Sequence, residues 1–369
     1  MKIENVELRR VRLPLVSPFR TSFGSVSERE ALLVHVTTAD AEGWAECAAE
    51  AEPLYSSEFL DGCELVIRDH LTPRLAAAGN RLTAERVEPA LAAVKGHRMS
   101  KAALETAILD AQLRASGVSF GGYLGAVNDL VPAGVSVGIM DSIDRLLAAV
   151  EGYLDEGYLR IKLKIEPGWD LGPVRAVRER FGPDVLLQVD ANTAYTLADA
   201  RHLARLDPFD LLLIEQPLPE DDMLGHAALA KLIQTPVCLD ESIESARDAA
   251  AAITLGACSI INVKPSRVGG YLEARRIHDV AAAHGVPVWC GGMLETGIGR
   301  AANVALAGLP DFVLPGDTSA SSRYYAQDLT EPFVLEDGHL RVPTGPGIGV
   351  EVLPDVLHEL TVSRSDIRF

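Results

Sequence analysis

The sequence predicts an α/β protein: a modified (β/α)8 TIM-type barrel over residues 128–320, with an α+β capping domain at 1–127 that the tail 321–369 rejoins. Three observations carry this. From residue 132 onward, short β-rich runs alternate with amphipathic helical stretches, and the runs open near Val131, Tyr158, Val185, Leu211, Pro236, Ser259, Pro287 and Phe312. Eight such units suit a closed barrel better than an open sheet whose halves meet at one switch point. Second, Asp190, Glu215 and Asp240 close three successive apolar runs, VLLQVDAN, LLLIEQP and PVCLDES, 25 residues apart each time. One strand-loop-helix-loop unit takes about that length, so the three acids fall at the carboxyl ends of neighbouring parallel strands. Third, the first 127 residues lack the rhythm and open instead with alternating strands.

In that first region VELRRVRLPL alternates with period two, ALLVHVTT and GWAECA pair about a polar turn, and three helices follow, the last reading MSKAALETAILDAQLRASG. In the barrel, Thr196 with Asp199 and Ser245 with Asp248 have capping-box spacing, and Gly157 and Gly285 stand where helices stop. After Asp317 there is no ninth unit. The short runs FVLED and HLRVP and the Gly/Pro-rich TGPGIG predict that the chain returns to the first domain.

Composition narrows the function. Apolar residues make up 48% of the 369, ample for a large core, and the net charge is −18. A chain this acidic is a poor partner for nucleic acid or an anionic membrane, which leaves a small molecule. The N-terminus MKIENVELRRVRLPLV has no signal-peptide character and no run approaches a membrane span, so a cytoplasmic location is expected. The five cysteines, Cys47, Cys63, Cys238, Cys258 and Cys290, show no C-x-x-C spacing and read as buried free thiols in a reducing compartment.

Three bare carboxylates converging at a barrel mouth repel one another unless a hard divalent cation with oxygen ligands holds them. Asp190, Glu215 and Asp240 are therefore the candidate metal ligands, with Mg2+ first and Mn2+ or Co2+ as alternatives. Lysines flank them: Lys162 and Lys164 alternate along YLRIKLKI one unit earlier, and Lys264 closes SIINVKP one unit later. Beside a metal, cationic neighbours depress a lysine's pKa and free part of it as a base. Lys164 lies on the second run and Lys264 on the sixth, so across an eight-stranded mouth the two amines face each other. Such opposed amines are what proton exchange at a planar carbon requires. Lys162 adds positive charge beside them, and Asn192, two residues after Asp190, faces inward as an orienting amide. One Asp or Lys at a strand end is usually a solvated loop residue; five in register are not.

A competing motif is Gly297, Gly299 and Ala302, which match the dinucleotide pattern G-x-G-x-x-A. It lies in the seventh unit of eight, four residues past its strand, with no second mononucleotide half. A helix N-terminus able to take a substrate anion, or a tight loop, is the better reading. The nine histidines show no zinc spacing.

At these residues the chain resembles the enolase superfamily, muconate-lactonising subgroup, through K-x-K at Lys162 to Lys164, D-x-N at Asp190, E-Q-P at Glu215, D-E-S at Asp240 and N-V-K-P at Asn262 to Pro265. More narrowly, PFRTSFG, PLYSSE, GHRM, SVGIMD, CGGMLETGIGRAAN and LPGDTSAS resemble the o-succinylbenzoate synthase and N-acylamino-acid racemase family, close to its actinobacterial racemases, over essentially the whole chain. The resemblance implies a cap closing a modified barrel, a divalent metal, an enediolate intermediate and homo-oligomers up to octamers. It makes Lys164 and Lys264 the two acid/bases, both used in racemisation. In dehydration to o-succinylbenzoate, Lys164 acts alone and Lys264 supplies a cation contact. It places Phe19, Phe23 and Tyr55 in cap loops over the mouth, and Ser136, Gly291, Met293 and Asp317 at strand ends on the rim. Arg267 is expected to tune Lys264 by like-charge repulsion, and Ser242 of D-E-S to support the ligands. Dipeptide epimerases of the subgroup carry D-x-D at the eighth strand to hold an ammonium; here the match is Asp317-Thr318-Ser319, which lacks the second acid. Asp317 is then free to cap the following helix. The alternatives are a dedicated synthase in menaquinone formation, a dipeptide epimerase, or a non-catalytic binder of metal and small acid.

Overall fold

A computed structural model describes residues 1–368. Three antiparallel strands open the chain: β1 (Ile3–Thr21), β2 (Gly24–Thr38) and β3 (Glu42–Cys47). They pack on the helix Arg98–Ser116, and the approach is close. A Cβ at Gly43 would lie 2.1 Å from the Ala107 carbonyl, so only glycine fits there. The β1/β2 register breaks between Pro14 and Phe19, where Pro14 and Pro18 remove ladder donors. There the Val16 N–H turns to the Tyr324 carbonyl at 2.9 Å. The hairpin tip bends onto the barrel: Ile139 N–H donates to Arg20 C=O at 2.9 Å, and Ser22 Oγ donates to the Ala191 and Asn192 carbonyls at 3.3 Å.

After β4 (Leu130–Pro132) come seven parallel strands: β5 (Gly134–Val137), β6 (Arg160–Lys164), β7 (Leu186–Asp190), β8 (Ile214–Glu215), β9 (Val237–Leu239), β10 (Ile260–Val263) and β11 (Val288–Cys290). They neighbour one another in chain order. The eighth run is not a regular strand. It closes the ring through single bridges, Val288 to Phe312 on one side and Ala133 to Gly316 on the other, with Gly134 N–H on Gly316 C=O at 2.7 Å. The expected eighth helix is also missing, and a 3-10 turn, Ser321–Arg323, stands in its place. Capping at Thr196/Asp199 and Ser245/Asp248 and positive φ at Gly157 and Gly285 follow the sequence reading.

The barrel interior is filled. Trp289, fully buried, carries the Arg160 guanidinium 5.2 Å and the Lys162 ammonium 4.9 Å from its ring centroid. The returning tail differs from expectation. FVLED is not a strand, and HLR forms β12 (His339–Arg341), which pairs with β4 beneath the barrel. The segment that rejoins the cap sheet is β13 (Thr361–Arg368), antiparallel to β1. All five cysteines are buried and free. Among the described residues no helix is long and apolar enough to cross a membrane.

Candidate active site

Strand register brings the candidate residues together. Lys164 pairs with Asp190, and Asp190 with Glu215; Asp240 and Lys264 directly follow β9 and β10. Side chains two apart share a strand face, so Arg160, Lys162 and Lys164 all point inward. Lys164 Nζ donates to Asp190 Oδ2 and Asn192 Oδ1, both at 2.6 Å. Lys264 Nζ stands 2.7 Å from Asp240 Oδ2 and donates to the Tyr55 hydroxyl at 3.0 Å. Lys162 Nζ reaches Glu215 Oε2 at 3.0 Å and Asp317 Oδ2 at 2.5 Å.

These groups are buried, and their charges interlock. Burial, with Asp190 beside it, pushes the Glu215 carboxyl up to about 8. Burial does the same to Glu241, with Asp240 nearby, also to about 8. Asp240 is held below the usual carboxylate range: burial opposes this, but Lys264 and Arg267 outweigh it. Burial pulls the Lys264 pKa down, yet Asp240 and the neighbouring acids raise it above the ordinary lysine value. The amines stand between the carboxylates, and among the described residues no three acidic, His or Cys side chains form a ready-made ligand cluster. The donor chemistry nevertheless fits a hard divalent ion. Asp190, Glu215 and Asp240 are buried carboxylates at adjacent strand ends, and Glu215 is held near neutrality by crowding that a cation relieves.

The cavity over this floor is lined by Lys162, Lys164, Lys264, Asn192, Ser136, Met293 and Asp317 from the barrel, and by Phe19, Phe23 and Tyr55 from the cap. Ser136 Oγ is buried with no hydrogen-bond partner, so it is available to a ligand. Three expectations change, and Arg267 gains a specific partner. Gly291 is not on the cavity; Gly292 lines it instead. A Cβ at Gly291 would come 2.3 Å from Asn262 Oδ1 and 2.8 Å from Lys264 Cε, so its place is behind the lysine as a spacer. Asp317 caps no helix, because none follows; it lines the cavity and pairs with Arg160 at 2.9 Å as well as with Lys162. Arg267 makes its direct contact with the candidate ligand Asp240, with Nη2 2.9 Å from Oδ1, and Lys264 pairs with that same carboxylate. At the N-terminus near Gly297 two protein carboxylates already occupy the first donors: Thr296 N–H donates to Glu46 at 2.8 Å and Gly297 N–H to Asp328 at 2.7 Å. Ser242 stands behind the ligands, where its Oγ accepts from Gln216 Nε2 at 2.7 Å.

Sequence reasoning missed several contributors. Asn262 Nδ2 donates to Glu215 Oε1 at 2.7 Å, and Glu241 Oε1 accepts from Asn192 Nδ2 at 2.9 Å. Arg160 was readable from the inward alternation of R-x-K-x-K. Glu50 and Tyr324 carry no local signal, because a cap loop and the tail bring them to the cavity.

Comparison with known proteins agrees with this arrangement. Residues 3–125 match the mandelate racemase / muconate lactonizing enzyme N-terminal domain, and residues 145–356 the enolase C-terminal domain-like family. An N-succinylamino acid racemase from Amycolatopsis is 69% identical over 364 residues, 99% of either chain. An o-succinylbenzoate synthase from Geobacillus kaustophilus is 48% identical, covering 95% of this chain and 94% of the relative. The crystal structure of an enolase-superfamily protein from Listeria innocua superimposes with a TM-score of 0.95 at 39% identity, over 100% of this chain and 99% of that one. Enzymes of this kind act on small carboxylates with a divalent metal. With matched cap and barrel models and full-length relatives, the chain belongs to the enolase superfamily, in the group of N-succinylamino acid racemases and o-succinylbenzoate synthases.

Proposed function

We propose that this chain racemises N-acylated, in particular N-succinylated, amino acids and also supports o-succinylbenzoate synthesis at the same site. The observation that carries the reading is the pair of lysines on the second and sixth strands, each seated on its own carboxylate. Residues 128–320 supply the chemistry, and residues 1–127 with part of the tail cover it. Asp190, Glu215 and Asp240 would hold Mg2+, and when bound it would supply positive charge to offset the negative charge that builds on a carboxylate substrate. Lys164 takes or returns the proton on one face and Lys264 on the other, while Lys162 adds positive charge to the same region. Phe19, Phe23 and Tyr55 exclude water. A cytoplasmic homo-oligomer, up to an octamer, completes the proposal.

Asp317 favours an acylated amine. It is already neutralised by Arg160 and Lys162, so an incoming ammonium finds no free carboxylate and loses its hydration uncompensated. Kinetics on N-acetyl-methionine, N-succinyl-phenylalanine, free methionine and Ala-Glu test this. The N-acylated substrates should be far faster; a dipeptide ahead by about tenfold, some 1.4 kcal/mol, would sink the reading.

A further inference from the structure

The loop between β11 and the helix Gly297–Ala307 puts Met293 and Leu294 on the cavity wall, and one hydrogen bond inside the loop is joined by others from outside it. Leu294 has φ +58°, a left-handed conformation that an L side chain rarely adopts, so neighbours must hold it there. They do. Met293 N–H donates to Glu295 Oε2 at 2.7 Å, Arg300 Nη2 donates to Glu295 C=O at 2.8 Å, and the Tyr325 hydroxyl donates to Leu294 C=O.

The far end of the loop is held from the other domain. Thr296 is the N-cap of its helix, yet its side chain caps nothing. Glu46 of β3, 250 positions away, accepts from Thr296 N–H at 2.8 Å and from Thr296 Oγ1 at 2.7 Å. The other Glu46 oxygen lies 3.9 Å from Arg29 Nη2. Gly299 makes the approach possible, since a Cβ there would come 2.9 Å from Glu295 Cβ and 3.1 Å from Glu46 Oε2. Leu294 also borders a second space of about 150 Å3 between the β1–β2 hairpin and the loop at Glu50–Leu54, so its position divides that space from the cavity.

We infer that Glu46 is a positioning residue for substrate selection: by capping this helix from the cap sheet it sets the Met293–Leu294 wall against the Phe19–Phe23 hairpin. The size of substrate side chain accepted then depends on a carboxylate that does not touch the cavity. This rests on the racemase reading for its substrates, but not for its geometry.

The test uses Glu46→Leu, which removes the acceptor at similar size, and Thr296→Val on the full-length, metal-loaded protein. Amide hydrogen exchange needs no turnover. Peptides covering 292–297 should exchange about tenfold faster in Glu46→Leu, while those covering β6 and β7 stay unchanged. In parallel, the KM ratio of N-succinyl-phenylalanine to N-succinyl-alanine should shift about fivefold or more, with kcat within about twofold of wild type. A merely structural role would lower the active fraction for both substrates and leave the KM ratio unchanged, and that result overturns the inference. Unchanged exchange at 292–297 overturns it as well. If Glu46→Leu does not fold, Thr296→Val, which keeps the carboxylate and Arg29, is held to the same two readouts. Failure of the racemase reading is visible in the wild type; failure of this inference appears only in the variants.

Discussion

The two lysines line the same cavity, but they are held in different ways. Lys164 is oriented by Asp190 and Asn192, both from the next barrel strand or its loop, and Lys164 and Asp190 are direct register partners. Lys264 is oriented by Asp240 from the barrel and by Tyr55 from the cap, whose ring centroid lies 4.8 Å from the ammonium. One face of the site is thus built by the sheet alone, where a shift in register would flip every side chain. The other is completed only when the cap loop is in place. The reaction proposed for the site treats the two faces alike, whereas the scaffold that holds them is asymmetric.

The largest expected effect removes what both faces share. Asp240→Asn takes the charge from a carboxylate that touches Lys264, Arg267 and Tyr55, and it also weakens metal binding. Turnover should fall by about 10³-fold or more with the fold retained by circular dichroism, and exhaustive chelation should do the same. Full activity after chelation, with metal content checked by elemental analysis, would refute the ligand set.

The next effect separates the faces. Lys264→Ala and Lys164→Ala should each lose racemisation by about 10²–10⁴-fold, while α-hydrogen exchange in deuterated water persists for one enantiomer only, opposite in the two variants. Equal exchange of both enantiomers in either variant would erase the distinction.

Tyr55→Phe sharpens the comparison. It deletes one hydrogen bond to the Lys264 amine, so exchange through that face should slow by about tenfold while exchange through the Lys164 face stays within about twofold. Both faces slowing alike would mean that Tyr55 acts by closing the cap rather than by orienting one lysine.

The smallest effect concerns the seam between cap and barrel. Glu105, on the cap helix Arg98–Ser116, caps the barrel helix Tyr271–Ala283 by accepting Leu272 N–H at 3.0 Å, and burial pushes its carboxyl up to about 8. A folded value above the unfolded one means that the native state holds the extra proton. That stabilisation is complete below about pH 4.5 and is lost as pH rises through about 8. Melting temperature should therefore decline by a few °C across this window, and Glu105→Gln should flatten the decline. An unchanged slope in the variant would assign the pH dependence elsewhere.

Much of the site was legible because it depends on short-range regularities. A constant interval of 25 residues puts Asp190, Glu215 and Asp240 at adjacent strand ends, and the period of two puts Lys162 beside Lys164 on one face. Capping at Thr196 and Ser245 is equally local. The misreadings all involve partners distant in sequence. Asp317 was placed on the rim, and it lines the cavity, but the helix-capping role also given to it fails: the barrel brings Arg160 and Lys162 to it across more than 150 positions. Gly291 was read as a ligand contact, and only the packing of Asn262 and Lys264 against it shows why a glycine stands there.

The sequence by itself determined the barrel rhythm, the strand-end acids and the opposed lysines, since each follows from periodicity along a strand or from one unit to the next. The tertiary structure alone decided how the eighth strand closes through single bridges, which tail segment joins the cap sheet, that Tyr55 meets Lys264, and that Glu46 caps a helix 250 residues away. These depend on which of many unsatisfied donors and acceptors meet once the core has formed. Burial then makes each unmet group costly, so the pairing is settled by long-range packing, which no local pattern of residues encodes.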